Sequence, residues 1–178
     1  MVIQGMQMAD IPEVQAIEKS IFPSTWPKNA YALELEQNRQ AHYIVLRDDA
    51  QIIGYGGLWH LGQEAHITTV GVRAAKQRQR YGSVVFAALI QMAYGFGARW
   101  ITLEVRASNQ AAIHLYESFG FTTIGRRRGY YTDNSEDAVI MWSDQLHAPR
   151  FKDHFIELLS SIDVAGIGAP PSSEYPQF

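Results

Sequence analysis

Val70-Gly71-Val72-Arg73-Ala74-Ala75-Lys76-Gln77-Arg78-Gln79-Arg80-Tyr81-Gly82-Ser83 runs from an apolar strand pattern through a basic loop directly into a helical one. A helix start of this kind offers backbone N–H groups with no intrahelical acceptor and the positive end of the helix dipole, and both favour a phosphate or pyrophosphate. Gly82 lets such a ligand approach the backbone closely. The stretch holds neither a Gly-x-x-x-x-Gly-Lys-Ser/Thr run nor a Gly-x-Gly-x-x-Gly fingerprint. Taken alone, a phosphate site and a solvated basic loop are equally open readings.

Upstream of this segment, residues 42–47, 51–60 and 65–72 read as three strands, with turns at Asp48-Asp49 and Gly62. Before them come a short opening strand and a helix entered through Asp10-Ile11-Pro12-Glu13, a capping-box pattern, with Ile11, Val14, Ile17 and Ile21 at helical spacing. The prolines of Phe22-Pro23-Ser24-Thr25-Trp26-Pro27 interrupt it before a second helix through Tyr31, Leu33 and Leu35. Downstream, a long helix over 81–96 stops at Gly95-Phe96-Gly97, and a strand follows at 100–105. Ser108 or Asn109 caps another helix that ends at Gly120, and strands at 121–127 and 138–142 close the pattern. The order predicts an α/β (α+β) sheet with helices on its faces. Residues 147–178 form a C-terminal extension of the 1–146 domain, with a short amphipathic helix at 151–162 and a flexible Gly166-to-Ser173 tail expected.

Composition narrows the chemistry. The 178 residues, 47% hydrophobic, suffice for one core. With no cysteine, there is no disulfide, thiolate metal site or cysteine nucleophile. The six histidines show no paired ligand spacing, so no metal is expected. A net charge of −3 argues against direct nucleic-acid binding, and Arg126-Arg127-Arg128 reads as a solvated strand edge. The start of the chain lacks a basic leader and no run is long enough to span a membrane, so a cytoplasmic protein is expected.

Gln77-x-x-Arg80-x-Gly82 resembles the acetyl-CoA pyrophosphate loop of the GCN5-related N-acetyltransferase (GNAT) superfamily, with Arg80 standing where the first glycine is usual. Leu103-Glu104-Val105-Arg106-Ala107-Ser108-Asn109, followed by Ala112-Ile113-His114-Leu115-Tyr116-Glu117-Ser118-Phe119-Gly120-Phe121, resembles the ribosomal-protein-alanine N-acetyltransferase branch, the RimI family. Glu18, Phe22-Pro23, Trp26 and Tyr130-Tyr131 share that resemblance, whereas Thr69 and Pro27 stand where asparagine and serine are usual. The resemblance implies a mixed, mostly antiparallel sheet with acetyl-CoA in a cleft between splayed central strands. It implies cofactor contacts from Val70, Gly71, Val72, Gln77, Arg78, Gln79, Arg80, Tyr81, Gly82, Ser83, Asn109 and Tyr116. In that family the amine attacks the thioester directly, so the resemblance casts Glu104 as base and Tyr116 as the group facing the leaving thiolate. Phe22, Trp26, Tyr130 and Tyr131, with Glu104, would wall an acceptor groove for a ribosomal protein's N terminus or another peptide.

Residue chemistry by itself leaves alternatives. Glu104 also reads as a strand-end carboxylate paired with an arginine, Tyr116 as a core tyrosine, and the four aromatics as packing. His66 lies near the expected cleft, where it could help organise water, but reads first as a packed strand histidine. A phenol near ~10 is a weaker acid than a thiol near ~8.5, so full proton transfer is uphill by roughly 2 kcal/mol. An α-amine near ~8 is easier to free than a lysine near ~10.4, by roughly 3 kcal/mol, which ranks an N terminus above lysine. Lysine or small-amine acetylation, and an acyl-CoA sensor without turnover, are the alternatives.

Overall fold

The computed structural model describes residues 1–162, so the tail expected at 166–173 lies outside the described residues. Its strands are β1 (Val2–Gly5), β2 (Ala41–Asp48), β3 (Gln51–Leu61), β4 (Glu64–Val72), β5 (Trp100–Arg106), β6 (Thr122–Tyr131) and β7 (Glu136–Trp142). Its α-helices are α1 (Ile11–Ile21), α2 (Ala30–Gln37), α3 (Tyr81–Gly95), α4 (Gln110–Ser118) and α5 (Pro149–Ser161). The strands form one sheet ordered β1-β2-β3-β4-β5-β7-β6. Only β4 and β5 are parallel, because α3 carries the chain back across the sheet between them.

Each face of the sheet buries its own core. Ile11, Val14 and Ile17 of α1 and Tyr31 of α2 pack against Tyr43, Val45, Ile52 and Tyr55 on one side. On the other, α3 is buried almost all round from Val84 to Ala93, as expected of a helix covered on both flanks. Gly56 admits it: a Cβ there would lie 2.8 Å from Leu89 and 2.9 Å from Val85, so a larger residue would force these side chains of α3 to shift. α5 closes this side with Phe151 and Ile162 buried and Phe155 against Phe119.

Three local expectations are corrected. Asp10 and Glu13 do not form a capping box on α1. Asp10 instead accepts the Gln7 N–H at 2.9 Å and pairs with Arg47, while Glu13 accepts the Ile52 N–H at 3.1 Å and pairs with Arg73 at 2.6 Å. Both acids tie the start of α1 to the sheet through their arginine partners, and the local N–H that Asp10 accepts lies upstream of α1, at Gln7. β6 runs on to Tyr131, beyond the expected end at 127, and β7 begins at Glu136. An edge strand with exposed side chains needs no apolar alternation, and a register shift between Arg127 and Tyr131 accommodates Gly129 at φ 57°.

Candidate active site

β4 and β5 pair from Glu64 opposite Trp100 to Ile67 opposite Leu103 and then separate. The cause lies on the far side of β4, where Gly57 faces Thr69 but Leu58 faces Ile67, leaving Thr68 as an extra residue that bends the strand. Past that point residues 68–72 have no β5 strand to pair with on their cleft side. A cavity of about 410 Å³ opens in the fork, lined by Val70 from β4, Glu104 from β5, and Asn109 and Tyr116 from the α4 region.

Glu104 is the part-buried acid at the fork. His66 Nε2 stands 3.1 Å from its Oε2, and Arg127 from the edge strand stands 3.4 Å from its Oε1. The hydrogen bond with His66 holds the Glu104 carboxyl below its usual range, against the upward push of burial, with the charges of His66 and Arg127 adding to the lowering. Glu104 thus lines the cleft and also has an arginine partner. Behind it a chain of contacts continues, from His66 Nδ1 to Thr102 Oγ1 at 2.9 Å and from Thr102 Oγ1 to Glu64 Oε1 at 3.0 Å. Through this chain His66 links the two carboxylates, with the Thr102 hydroxyl donating to Glu64.

Tyr116 lies on the opposite wall, its ring 4.8 Å from Phe86, and burial, with Tyr131 second, pushes its hydroxyl well above the ordinary phenol range. Asn109 lies at the head of the same helix and accepts the Ala112 N–H at 3.2 Å, so it is the N-cap, ahead of Ser108. Phe22, Trp26, Tyr130 and Tyr131 all line the cavity, and Trp26 also stacks on buried Tyr31 at 5.2 Å. Aromatic wall and packing role coexist in that residue.

Glu18 of α1 lines the same cavity at 2% exposure. Burial pushes its carboxyl up, partly offset by the Trp26 N–H at 3.4 Å. Arg106, at the end of β5, binds Asp133 at 2.8 Å, Glu136 at 3.1 Å and Ser24 Oγ at 3.2 Å, with its guanidinium 3.9 Å from the centre of the Tyr131 ring. One side chain thus fastens the α1–α2 loop and the β6–β7 hairpin to the sheet.

The basic loop does not line this cavity; it lies exposed at the head of α3. Gln77 turns back to the Val72 carbonyl at 3.1 Å and Gln79 to the Ala75 carbonyl at 3.4 Å, while Arg78 is exposed. A Cβ on Gly82 would meet nothing nearer than Leu115 at 3.6 Å. The protein's own packing therefore does not demand glycine there, and the bare backbone fits a site for an incoming phosphate. Arg78 and Arg80 both hold positive φ, 62° and 65°.

The model of the acetyltransferase (GNAT) family matches residues 11–121. The chain belongs to that family. As a GNAT protein it is an acetyl-CoA-dependent N-acetyltransferase, and several of its relatives bear names of the ribosomal-protein-alanine type. A Bacillus subtilis protein assigned by name to ribosomal protein bS18-alanine N-acetylation is 39% identical over 140 residues, 79% of this chain and 93% of the relative. The N-alpha-acetyltransferase RimI of Mycobacterium tuberculosis is 34% identical over 148 residues, 80% of this chain and 91% of the relative. The crystal structure of the Escherichia coli ribosomal-protein-S18-alanine N-acetyltransferase superposes with a TM-score of 0.73 at 32% identity, covering 79% of this chain and 91% of that one.

Within this GNAT frame, sequence reasoning missed how His66, Thr102 and Glu64 combine. They sit on β4 and β5, and only the parallel register, which sets His66 opposite Thr102, brings them together. A histidine one position before the fork of a GNAT sheet was the available signal. Arg106 was quoted only as part of a motif, and nothing local shows that its partners are 27 to 82 residues away. No helix among the described residues is long and apolar enough to cross a membrane, and none of their His, Asp and Glu side chains form a group able to hold a metal.

Proposed function

We propose that this acetyltransferase moves the acetyl group of acetyl-CoA to the α-amine of a protein N terminus, alanine of a ribosomal protein in the first instance, by direct attack in a ternary complex in the cytoplasm. The observation that carries this reading is Glu104, held by His66 and Arg127, opening into a cavity walled by Phe22, Trp26, Tyr130 and Tyr131. The unpaired stretch of β4 offers backbone N–H groups at Val70 and Val72 to the pantetheine arm and the thioester carbonyl. The exposed loop from Gln77 to Ser83 takes the pyrophosphate at the start of α3.

In the transfer step the amine nitrogen bonds to the thioester carbon and the carbon–sulfur bond breaks. The amine proton passes to Glu104, directly or through one water, and is shared with His66. The departing thiolate meets the hydroxyl of Tyr116. Because burial makes that phenol a still weaker acid, its role is to donate a hydrogen bond to the sulfur rather than to surrender the proton. Glu18 adds a second acid to the acceptor end and favours a cationic amine there. Such a site suits an α-amine, whose proton is removed at smaller cost than that of lysine.

Initial rates over a grid of acetyl-CoA and an alanine-initiated peptide test the mechanism. Intersecting double-reciprocal lines support a ternary complex. Parallel lines would require an acyl-enzyme and would overturn it.

A further inference from the structure

Arg80 occupies the first glycine position of the phosphate loop pattern and adopts the left-handed conformation that glycine accepts freely and arginine disfavours, φ 65° and ψ 4°. Its guanidinium is engaged at a distance: Nη1 donates to the carbonyl of Ser161 at 2.9 Å. Ser161 is the last residue of α5, where carbonyls run out of intrahelical partners and the helix dipole ends negative. α5 lies beyond the matched family region of residues 11–121.

α5 is anchored along its length. Lys152 stands over the ring of Tyr94 at the far end of α3, His154 Nε2 contacts the Ser118 carbonyl at the end of α4 at 2.8 Å, and Phe151 is buried. The helix therefore runs antiparallel to α3, from Tyr94 back to Arg80, and delivers its negative end beside the anion-binding head of α3. Left bare, those carbonyls would oppose a pyrophosphate; Arg80 caps them and is in turn held by them. From this geometry we infer that Arg80 and α5 act as a coupled pair. α5 positions the phosphate loop through the Arg80 guanidinium, and the arginine at a glycine position depends on α5 to keep the loop in its binding shape. Arg80 is a positioning residue for acetyl-CoA, and α5 is part of the cofactor site. The inference rests on the assignment of the loop to acetyl-CoA.

The pair is tested with the full chain, a variant ending at Ile162, which keeps the Ser161 carbonyl, and one ending at Leu158, which removes it but keeps Phe151 and Phe155. Each is made with and without Arg80→Gly, and melting temperatures confirm that each is folded. Two quantities are read: amide hydrogen exchange of residues 78–83 without ligand, and the Kd for acetyl-CoA by calorimetry. With Arg80 present, shortening from Ile162 to Leu158 is expected to speed exchange about tenfold, the equivalent of ~1.4 kcal/mol, and to weaken acetyl-CoA about fivefold. With Arg80→Gly the same shortening is expected to change either quantity by less than about twofold, since glycine needs no support in the left-handed conformation. Equal changes in both backgrounds, or none in either, would overturn the pairing. Coupled exchange without measurable acetyl-CoA binding would uphold the pairing and refute the assignment of the loop to that cofactor.

Discussion

Glu104→Gln removes a charge and a proton acceptor while keeping the size of the side chain. Its effect follows from the surroundings. A positioned general base contributes on the order of 10²- to 10⁴-fold to rate, and the contribution grows with basicity. Here His66 at 3.1 Å and Arg127 at 3.4 Å hold the carboxyl below its usual range, so Glu104 is a weak base and belongs at the lower end. The expected loss in kcat is about 10²-fold, or ~2.7 kcal/mol. The glutamine amide still reaches His66, and no phosphate or pantetheine contact is touched, so the Kd for acetyl-CoA should stay within about twofold of native on the scale where 1.4 kcal/mol is tenfold. The assay pairs rapid-quench transfer to an alanine-initiated peptide with calorimetry for acetyl-CoA. A kcat within a factor of two of native would remove Glu104 as the base.

Other consequences follow from the same geometry. His66→Ala removes the hydrogen bond that both lowers and orients Glu104; lost orientation outweighs gained basicity, so kcat should fall about tenfold with the acetyl-CoA KM little changed, within the range of general-base effects, and an unaltered kcat would make the chain to Glu64 a structural feature only. Tyr116→Phe should slow transfer about tenfold, the equivalent of one hydrogen bond to a charged group, and an acetyl-CoA thioester with a more acidic thiol should recover part of the loss. Arg106→Lys keeps the charge but loses the fork that joins Asp133, Glu136 and Ser24, so the peptide KM should rise about fivefold, ~1 kcal/mol, while the acetyl-CoA KM stays put. With pH, kcat/KM should climb through the amine's own pKa near ~8, because Glu104, lowered, is ionised throughout neutral pH. The sign for stability agrees: the Glu104 contribution is present above its unfolded value near ~4.3 and is lost as pH falls through the lower folded value, which acid unfolding of Glu104→Gln beside native reads out.

The fold was legible where local rules govern. Runs bounded by the turns at Asp48-Asp49 and Gly62 gave β2 to β4, the Gly95-Phe96-Gly97 stretch marked the end of α3, and Asn109 capped α4 as its type predicts. Reading failed where long-range partners override local ones. Asp10 and Glu13 have the spacing of a capping box, yet Arg47 and Arg73 claim them. β6 was cut short because arginines and Gly129 break apolar alternation, which an exposed edge does not require. At the candidate site, Glu104 and Tyr116 were picked out through a family motif, while the contacts of Glu104 were not visible in the sequence. His66 reaches Glu104 only through the parallel β4–β5 register, and Arg80 reaches Ser161 across 81 residues of chain.

The central claim is that the cavity beside Glu104 receives an N-terminal amine. A single peptide with a free N-terminal alanine and an internal lysine, incubated with acetyl-CoA and sequenced by tandem mass spectrometry, tests it most directly. The account predicts that acetyl is found on the alanine nitrogen with the lysine unmodified; acetyl on the lysine with the N terminus left free would contradict it.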